Sequence, residues 1–455
     1  MLDSINPEVL AIYDKLQKAK HEVYLVGGCV RNLLMGIPVA DWDLTTNATP
    51  EEIQSVFPDS FCDNDFGTVG VKLSDEDNGK KYVEITTYRT EKGYSDHRHP
   101  GEVAWGTTLK EDIVRRDFTV NALAIAIEHG EINIIDFVDG QKDLQNKILR
   151  AVGNPDERFK EDALRLMRAV RFCAQLDFEI EKDTLTAIKK DAHLITHISN
   201  ERIRDELFKI LATPRSYEGI MLLDEIGILD IIFPELLRGK GVSQARPGRH
   251  HTTDVFTHNV LSMKECPTHD PIVKFAALLH DVGKPYVASE DSEGFVIFYN
   301  HEVVGSKIAK DIAVRLRLSN IQKEKIYTLI RWHMFTVDEH ITDSAVRRFI
   351  RRVGLENVKD MIDLRIGDRL GGGTQTAESW RLKKFKERLE EQLNPPFSIN
   401  DLAIDGNDIM EQLHLAPGKM IGDMLKTLFL EVDEDLEKNN KEYLLKRIHE
   451  LSQNS

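Results

Sequence analysis

Apolar and polar positions follow two rhythms along this chain, and the change from one to the other divides it. Up to about residue 150, short β-branched runs alternate with turn signals. Val23–Gly28 (VYLVGG) reads as a strand entering a glycine turn. Val69–Leu73 (VGVKL) and Lys81–Tyr88 (KYVEITTY) read as strands separated by the turn Asp75–Lys80 (DEDNGK). Glu131–Leu144 reads as a strand followed by a turn, and Val9, Leu10, Tyr13 and Leu16 mark an opening amphipathic helix. From about Asn154 the spacing becomes helical, in Arg158–Leu176, Thr184–Ile195 and Asn200–Leu211, and stays so. Gly239–His251 is rich in Gly, Pro and Arg and reads as a boundary, while Ser289–His301 reads as a turn or hairpin among helices. Gly371–Thr376 reads as a flexible connection, and Asn394–Pro396 opens a last helical stretch. The expected fold class is α+β: a mixed-sheet head (1–150), a helical neck (151–240), a helical body (241–390) and a helical tail (391–455).

Composition narrows the class. The 455 residues are 41% hydrophobic and 30% charged, as in globular proteins. No apolar run approaches the ~20 residues of a membrane span, and the first twenty residues lack a signal-peptide core. Cys29, Cys62, Cys173 and Cys266 form no CxxC, so a reducing cytoplasm is expected. A net charge of −16 argues against a general nucleic-acid binder. An RNA substrate would need local basic surfaces and metal ions. The oligomeric state is not legible.

Two constellations carry chemistry. In the first, the adjacent glycines Gly27 and Gly28 let backbone N–H groups approach an anion, with a helix expected from near Val30. Asp41 and Asp43 follow, bracketing Trp42. On a strand, i and i+2 share a face, so two hard carboxylates would project together and suit Mg²⁺.

The order GG-x-VR then D-x-D resembles the nucleotidyltransferase superfamily that includes DNA polymerase beta, and within it the bacterial class II CCA-adding enzymes and poly(A) polymerases. Arg115–Ala124 (RRDFTVNALA), Arg158–Phe172 and Asn200–Leu211 continue the likeness in family order, over roughly the first 215 residues. Asn32 departs from it, standing where the family usually has Asp. The resemblance implies a polymerase-beta-like head and template-independent addition of CCA to tRNA 3′ ends from CTP and ATP. It implies two Mg²⁺ in the head, held by Asp41 and Asp43, with Glu84 as the third catalytic carboxylate. Nucleotide binding falls to Gly28, Arg31, Arg115, Arg116, Asn121, Arg168 and Arg171, together with Asp162 and Arg165, to which the resemblance assigns base reading.

The chemistry of that assignment is explicit. Spaced i and i+3 on one expected helix, Asp162 and Arg165 share a face and could simply pair. Facing a base instead, the carboxylate accepts from the exocyclic amine of C or A while the guanidinium donates to the ring nitrogen. U and G present the reverse pattern and are refused. A-adding and poly(A) enzymes are the near alternatives. Ser55–Leu73 lacks the basic aromatic element of the poly(A) relatives, and Arg89–Trp105 reads as a mobile loop that CC-adding relatives lack. Both favour CCA. Arg202, Arg204, Arg347, Arg348 and Arg351, with Arg352, are candidates for tRNA phosphates.

The second constellation is His258, His280–Asp281, His301, His333 and Asp368. An adjacent His-Asp pair inside an apolar helix calls for a compensating cation. The pattern resembles the HD-superfamily phosphohydrolases, which implies a divalent transition metal or Mg²⁺ here, with Lys284 near phosphate. His250, His251, His269 and His340 read as surface or loop residues. A different class of function, an HD hydrolase whose N-terminal domain only binds nucleotide, is disfavoured by the intact Asp41–Asp43 pair.

Overall fold

The computed structural model describes all residues except 63–66, 75–81, 95–99, 107, 245–252, 336, 338–340, 393–397 and 454–455. The turn expected at 75–80 and His250, His251 and His340 therefore lie outside the described residues; His269 is exposed. The chain divides into two units, Met1–Leu237 and Arg238–Ser455.

The first unit is built on a mixed sheet. Its strands are β1 (Val23–Val26), β2 (Asp43–Thr46), β3 (Phe61–Cys62), β4 (Thr68–Lys72), β5 (Tyr82–Thr87), β8 (Leu123–Glu128) and β9 (Glu131–Asp136), after a separate hairpin, β6 (Arg89–Tyr94) and β7 (Pro100–Trp105). The order is β3-β4-β5-β2-β1-β8-β9, with β2 and β5 parallel and the other pairs antiparallel. The helix Pro7–Lys18 begins where Asn6 accepts from Glu8 N–H and proline occupies the first turn. It buries Val9, Ile12, Tyr13 and Leu16 in a core with Leu25, Leu44 and Ile85. The Ile127 N–H donates to the Tyr13 hydroxyl at 2.9 Å, so this buried phenol is satisfied.

Three sequence expectations change at the backbone. Within the loop expected over Arg89–Trp105, the described residues on both sides of 95–99 pair as the antiparallel strands β6 and β7. The turn expected after β9 contains a short helix, Gly140–Asn146. The Asp136 carboxylate accepts from the N–H groups of Val138, Gly140 and Gln141 and so orders the approach to it. The continuous helix expected over 158–176 is broken. One helix ends at Glu161, the next starts at Leu164, and Asp162 between them is extended (φ −138°, ψ 103°). Its carboxylate accepts from Leu164 N–H at 3.1 Å, the local bond by which Asp competes with a continuing helix.

The second unit is helical apart from the two-stranded hairpin Ser289–Glu290/Val296–Ile297. Helices Val255–Glu265, Pro271–Leu279, His301–Arg315, Asn320–Trp332 and Val358–Gly371 surround the histidines. The tail helices Gly406–Leu413, Lys419–Glu434 and Lys441–Gln453 close over their own core of Ile409, Leu428, Leu444 and Ile448. The basic face expected on Asp343–Val353 is only partly present. Arg347 is buried and bonds Asp433 at 2.7 Å, and Arg351 bonds the other oxygen at 2.7 Å. These two arginines, one turn apart, neutralise a carboxylate of the tail, which leaves Arg348 and Arg352 exposed. Among the described residues no helix is long and apolar enough to cross a membrane.

Candidate active site and metal centre

Gly27 starts the first site. Its φ of +77° turns β1 into the helix Gly28–Met35, two residues earlier than the sequence suggested. A Cβ at Gly27 would lie 3.1 Å from the Arg116 guanidinium, so glycine also admits that cation. β2 begins at Asp43, not Asp41, yet the pattern extends backward because Trp42 O accepts from Glu84 N–H at 3.2 Å. Trp42 is buried, and Asp41 and Asp43 both line one cavity of about 580 Å³. Glu84 sits in register beside Asp43 and shares its face, but is not among the residues lining that cavity.

Seven arginines line the cavity: Arg31, Arg115, Arg116, Arg165, Arg168, Arg171 and Arg202. Facing them are four aspartates, Asp41, Asp43, Asp117 and Asp162. The cation needed by an anionic substrate is therefore concentrated here, inside an acidic protein.

The guanidinium groups are held by specific partners. Buried Asp112 takes Arg115 at 2.5 Å and Arg116 at 3.1 Å, and accepts from the Thr45 hydroxyl at 3.3 Å. Burial works against its charge, but Arg116 and Arg115 outweigh that and lower its pKa. Asp117 accepts from Arg168 Nε at 2.8 Å and from Asn121 at 3.3 Å. Here too burial is outweighed, chiefly by Arg168, and the pKa falls to about 2. Arg31 donates to Asn121 at 2.5 Å and to Asn32 at 2.9 Å, so the departure at Asn32 still orients the arginine before it. Burial lowers the Arg31 pKa to about 10, with the Asp117 charge opposing.

The two expected base readers are not paired with each other. Asp162 takes Arg202 at 3.0 Å, while Arg165 donates to Glu161 at 2.7 Å and to the carbonyls of Arg158 (2.9 Å) and Arg115 (3.2 Å). Both line the same cavity. Arg202, expected at an RNA surface, lies in this cavity too, and Arg204 pairs with its neighbour Asp205 at 2.7 Å. We expect Asp112→Asn to raise the KM for a triphosphate substrate about tenfold, the scale of a lost charge-assisted hydrogen bond, with kcat little changed. Steady-state kinetics with an unchanged KM would show that Asp112 positions nothing.

The second unit gathers its six expected residues. His258 and His280 approach Nε2 to Nε2 at 3.2 Å, and His301 and His333 at 3.4 Å. Asp281 lies between the pairs: one oxygen is 3.4 Å from both His258 and His280, the other 3.2 Å from His301 and 3.7 Å from His333. Asp368 is 3.2 Å from His258. The Nδ1 atoms of His280, His301 and His333 bond the carbonyls of Ala277, Phe298 and Ile330 at 2.7–2.8 Å. That fixes Nδ1 as the donor and directs each Nε2 inward, the arrangement of metal-bound imidazoles.

Among the described residues, His258–His280–Asp368 and His280–Asp281–His333 each bring ligand atoms within 4.8 Å of one another. The donor set fits a divalent cation. Burial opposes charge on His280, but Asp281 and Asp368 outweigh it and hold it at about 10; burial, then the charge of His280, pushes His333 down to about 3. Gly283 permits the close helix contact, since a Cβ there would fall 2.2 Å from His301 O.

Family models match three stretches: "Poly A polymerase head domain" over 23–150, "Probable RNA and SrmB- binding site of polymerase A" over 177–239, and "HD domain" over 260–370. The chain is 33% identical over 446 residues to a CCA-adding enzyme of Ligilactobacillus salivarius, covering 98% of this chain and 96% of that one. The chain belongs to the class II tRNA nucleotidyltransferase family. Within that family it is 32% identical over 421 residues to an A-adding tRNA nucleotidyltransferase of Deinococcus radiodurans, covering 89% of this chain and 90% of the relative. A crystal structure of the Bacillus stearothermophilus CCA-adding enzyme in complex with CTP superposes with a TM-score of 0.67 at 26% identity, over 99% of this chain and all of that one. The sequence signals of the family pointed to Asp41, Asp43, Asp162 and Arg165, and all four line the one cavity. They did not single out Asp112, Asp117 or Glu161, whose role of holding arginines needs the tertiary contacts to be seen.

Proposed function

We propose that this chain adds C, C and A to tRNA 3′ ends from CTP and ATP. The observation that carries the reading is one cavity holding Asp41 and Asp43, a set of arginines for a triphosphate, and Asp162 with Arg165 for a base edge. Asp41 and Asp43 would hold divalent cations, for which hard carboxylates suit Mg²⁺. Such ions activate a hydroxyl nucleophile and offset triphosphate charge. Arg115 and Arg116, braced by Asp112, bind phosphate oxygens, and Arg168, braced by Asp117, neutralises charge beside them. Asp162 has lone pairs beyond those used by Arg202 and Leu164, and Arg165 has more N–H donors than its three acceptors engage. Base reading then admits C and A. This reading carries with it a cytoplasmic location and tRNA as partner, with Arg202 acting on the nucleotide side of the cavity. The test is extension of tRNA lacking its terminal CCA, with each labelled nucleotide in turn. Incorporation of ATP alone, or tails of open length, would overturn it in favour of A addition or poly(A) synthesis.

The histidine cluster supports a second activity of the same chain, metal-dependent phosphohydrolysis. Mn²⁺ at about 100 times its Kd should raise the melting temperature of the second unit by roughly 5–10 °C. His280→Ala should abolish that shift. Equal shifts in calorimetry of the two proteins would remove the metal site.

A further inference from the structure

Beside the histidine cluster is a buried amide that nothing in the ligand set explains. Gln244 is 6% exposed and its Oε1 accepts from Lys284 Nζ at 2.5 Å. Lysine can only donate, so this bond fixes which end of the amide is oxygen. Nε2 therefore points away from Lys284, and among the described residues it has no hydrogen-bond partner. A buried N–H₂ left without a partner is destabilising. The backbone holds Gln244 in place regardless. Ser243 bridges Asp254, Val255 N–H donates to Val242 O at 3.1 Å, and Gly241 N–H donates to the Asp254 carboxylate at 2.8 Å. Lys284 in turn lies 2.5 Å from the Asp281 oxygen that faces His258 and His280, and its ammonium is 5.5 Å from the Phe298 ring centre. A cation and an unpartnered amide donor thus sit side by side, one carboxylate away from the metal-ligand set.

We infer that Gln244 Nε2 is a further phosphoryl-oxygen donor of the second active site, set beside Lys284, which the HD resemblance already puts near phosphate. Gln244 acts there as a binding residue for the substrate phosphate and as the brace that keeps Lys284 beside Asp281. The inference rests on the phosphohydrolase reading of the histidine cluster. An anionic phosphoryl oxygen can accept from both donors at once and is drawn by the ammonium charge.

The test uses full-length protein loaded with Mn²⁺, with inorganic phosphate as the binding probe and 2′,3′-cyclic AMP and 3′-AMP as substrates. Gln244→Ala is expected to weaken phosphate binding about tenfold in calorimetry and to raise KM by a similar factor for whichever substrate is hydrolysed, with Mn²⁺ content unchanged by elemental analysis. Gln244→Glu, which keeps the acceptor for Lys284 but puts a carboxylate where the donor stood, is expected to weaken phosphate further. An unchanged thermal melt of the second unit reports that each variant is folded.

Wild-type phosphate affinity in both variants would overturn the inference while leaving the phosphohydrolase reading intact. So would loss of Mn²⁺ from Gln244→Ala, since the amide would then serve the ligand set. A wild-type protein that neither binds phosphate nor hydrolyses either substrate overturns the phosphohydrolase reading, and the inference falls with it.

Discussion

Asp43→Ala is expected to lower nucleotide addition by about three orders of magnitude or more, while hydrolysis at the histidine cluster stays at its wild-type rate. Metal-assisted charge stabilisation is worth several kcal/mol, which is a factor of ~10³ in rate. Asp43 is the first residue of β2 and lies in register with Glu84, so alanine there keeps the strand and removes the carboxylate. Glu84 is no substitute from outside the cavity lining. Extension of CCA-less tRNA by labelled CTP measures the first rate, and release of phosphate or opening of a cyclic nucleotide the second. Near-normal addition by Asp43→Ala would end the assignment of the head cavity. Loss of both activities together would indicate unfolding, which Asp43→Asn, isosteric and neutral, controls for.

Asp162→Ala should reduce discrimination for CTP over UTP, and for ATP over GTP, by about 10- to 100-fold in kcat/KM, the range of a lost base-edge pair. Two consequences of the helix break bear on this variant. Asp162 caps Leu164 N–H, so alanine also loosens the start of the helix that carries Arg165, Arg168 and Arg171. It also leaves Arg202 without its 3.0 Å partner. Asp162→Asn separates these effects. Its amide oxygen still caps the helix, but it offers a donor where the amine of C or A needs an acceptor. Four-nucleotide kinetics on both variants decide the matter. Unchanged ratios in both would mean that Asp162 only holds the turn.

How much of this was legible beforehand depends on the kind of signal. Alternation and glycine turns placed β1, β4, β5 and β9, because burial on a sheet and the turns that bound a strand leave marks in the sequence. The paired aspartates and the His-Asp motif were legible because their order and spacing are chemical requirements. The break at Asp162 was not. The apolar pattern of Phe159, Leu164, Leu166 and Met167 is compatible with one continuous helix, and only the carboxylate bond to Leu164 N–H tells where it stops. The partners of the arginines were hidden for a related reason. Asp112, three and four residues before Arg115 and Arg116, is an ordinary helix spacing, and it matters only because burial removes solvent screening. Arg347 gave the opposite error. A basic stripe reads as surface until a tail residue 86 positions later, Asp433, closes on it.

The crowding of guanidinium groups into one chamber, in a chain whose charges sum to −16, has a kinetic consequence. Outside that chamber the average field repels a polyanion. Attraction for an RNA end is therefore strongest toward the chamber, and the counterions freed on binding come chiefly from phosphates that approach it. Affinity for tRNA should fall only gently as salt rises, and a completed end whose tip no longer fits should depart quickly. Salt titrations of binding to tRNA with and without its terminal CCA would measure this effect of the uneven placement of charge.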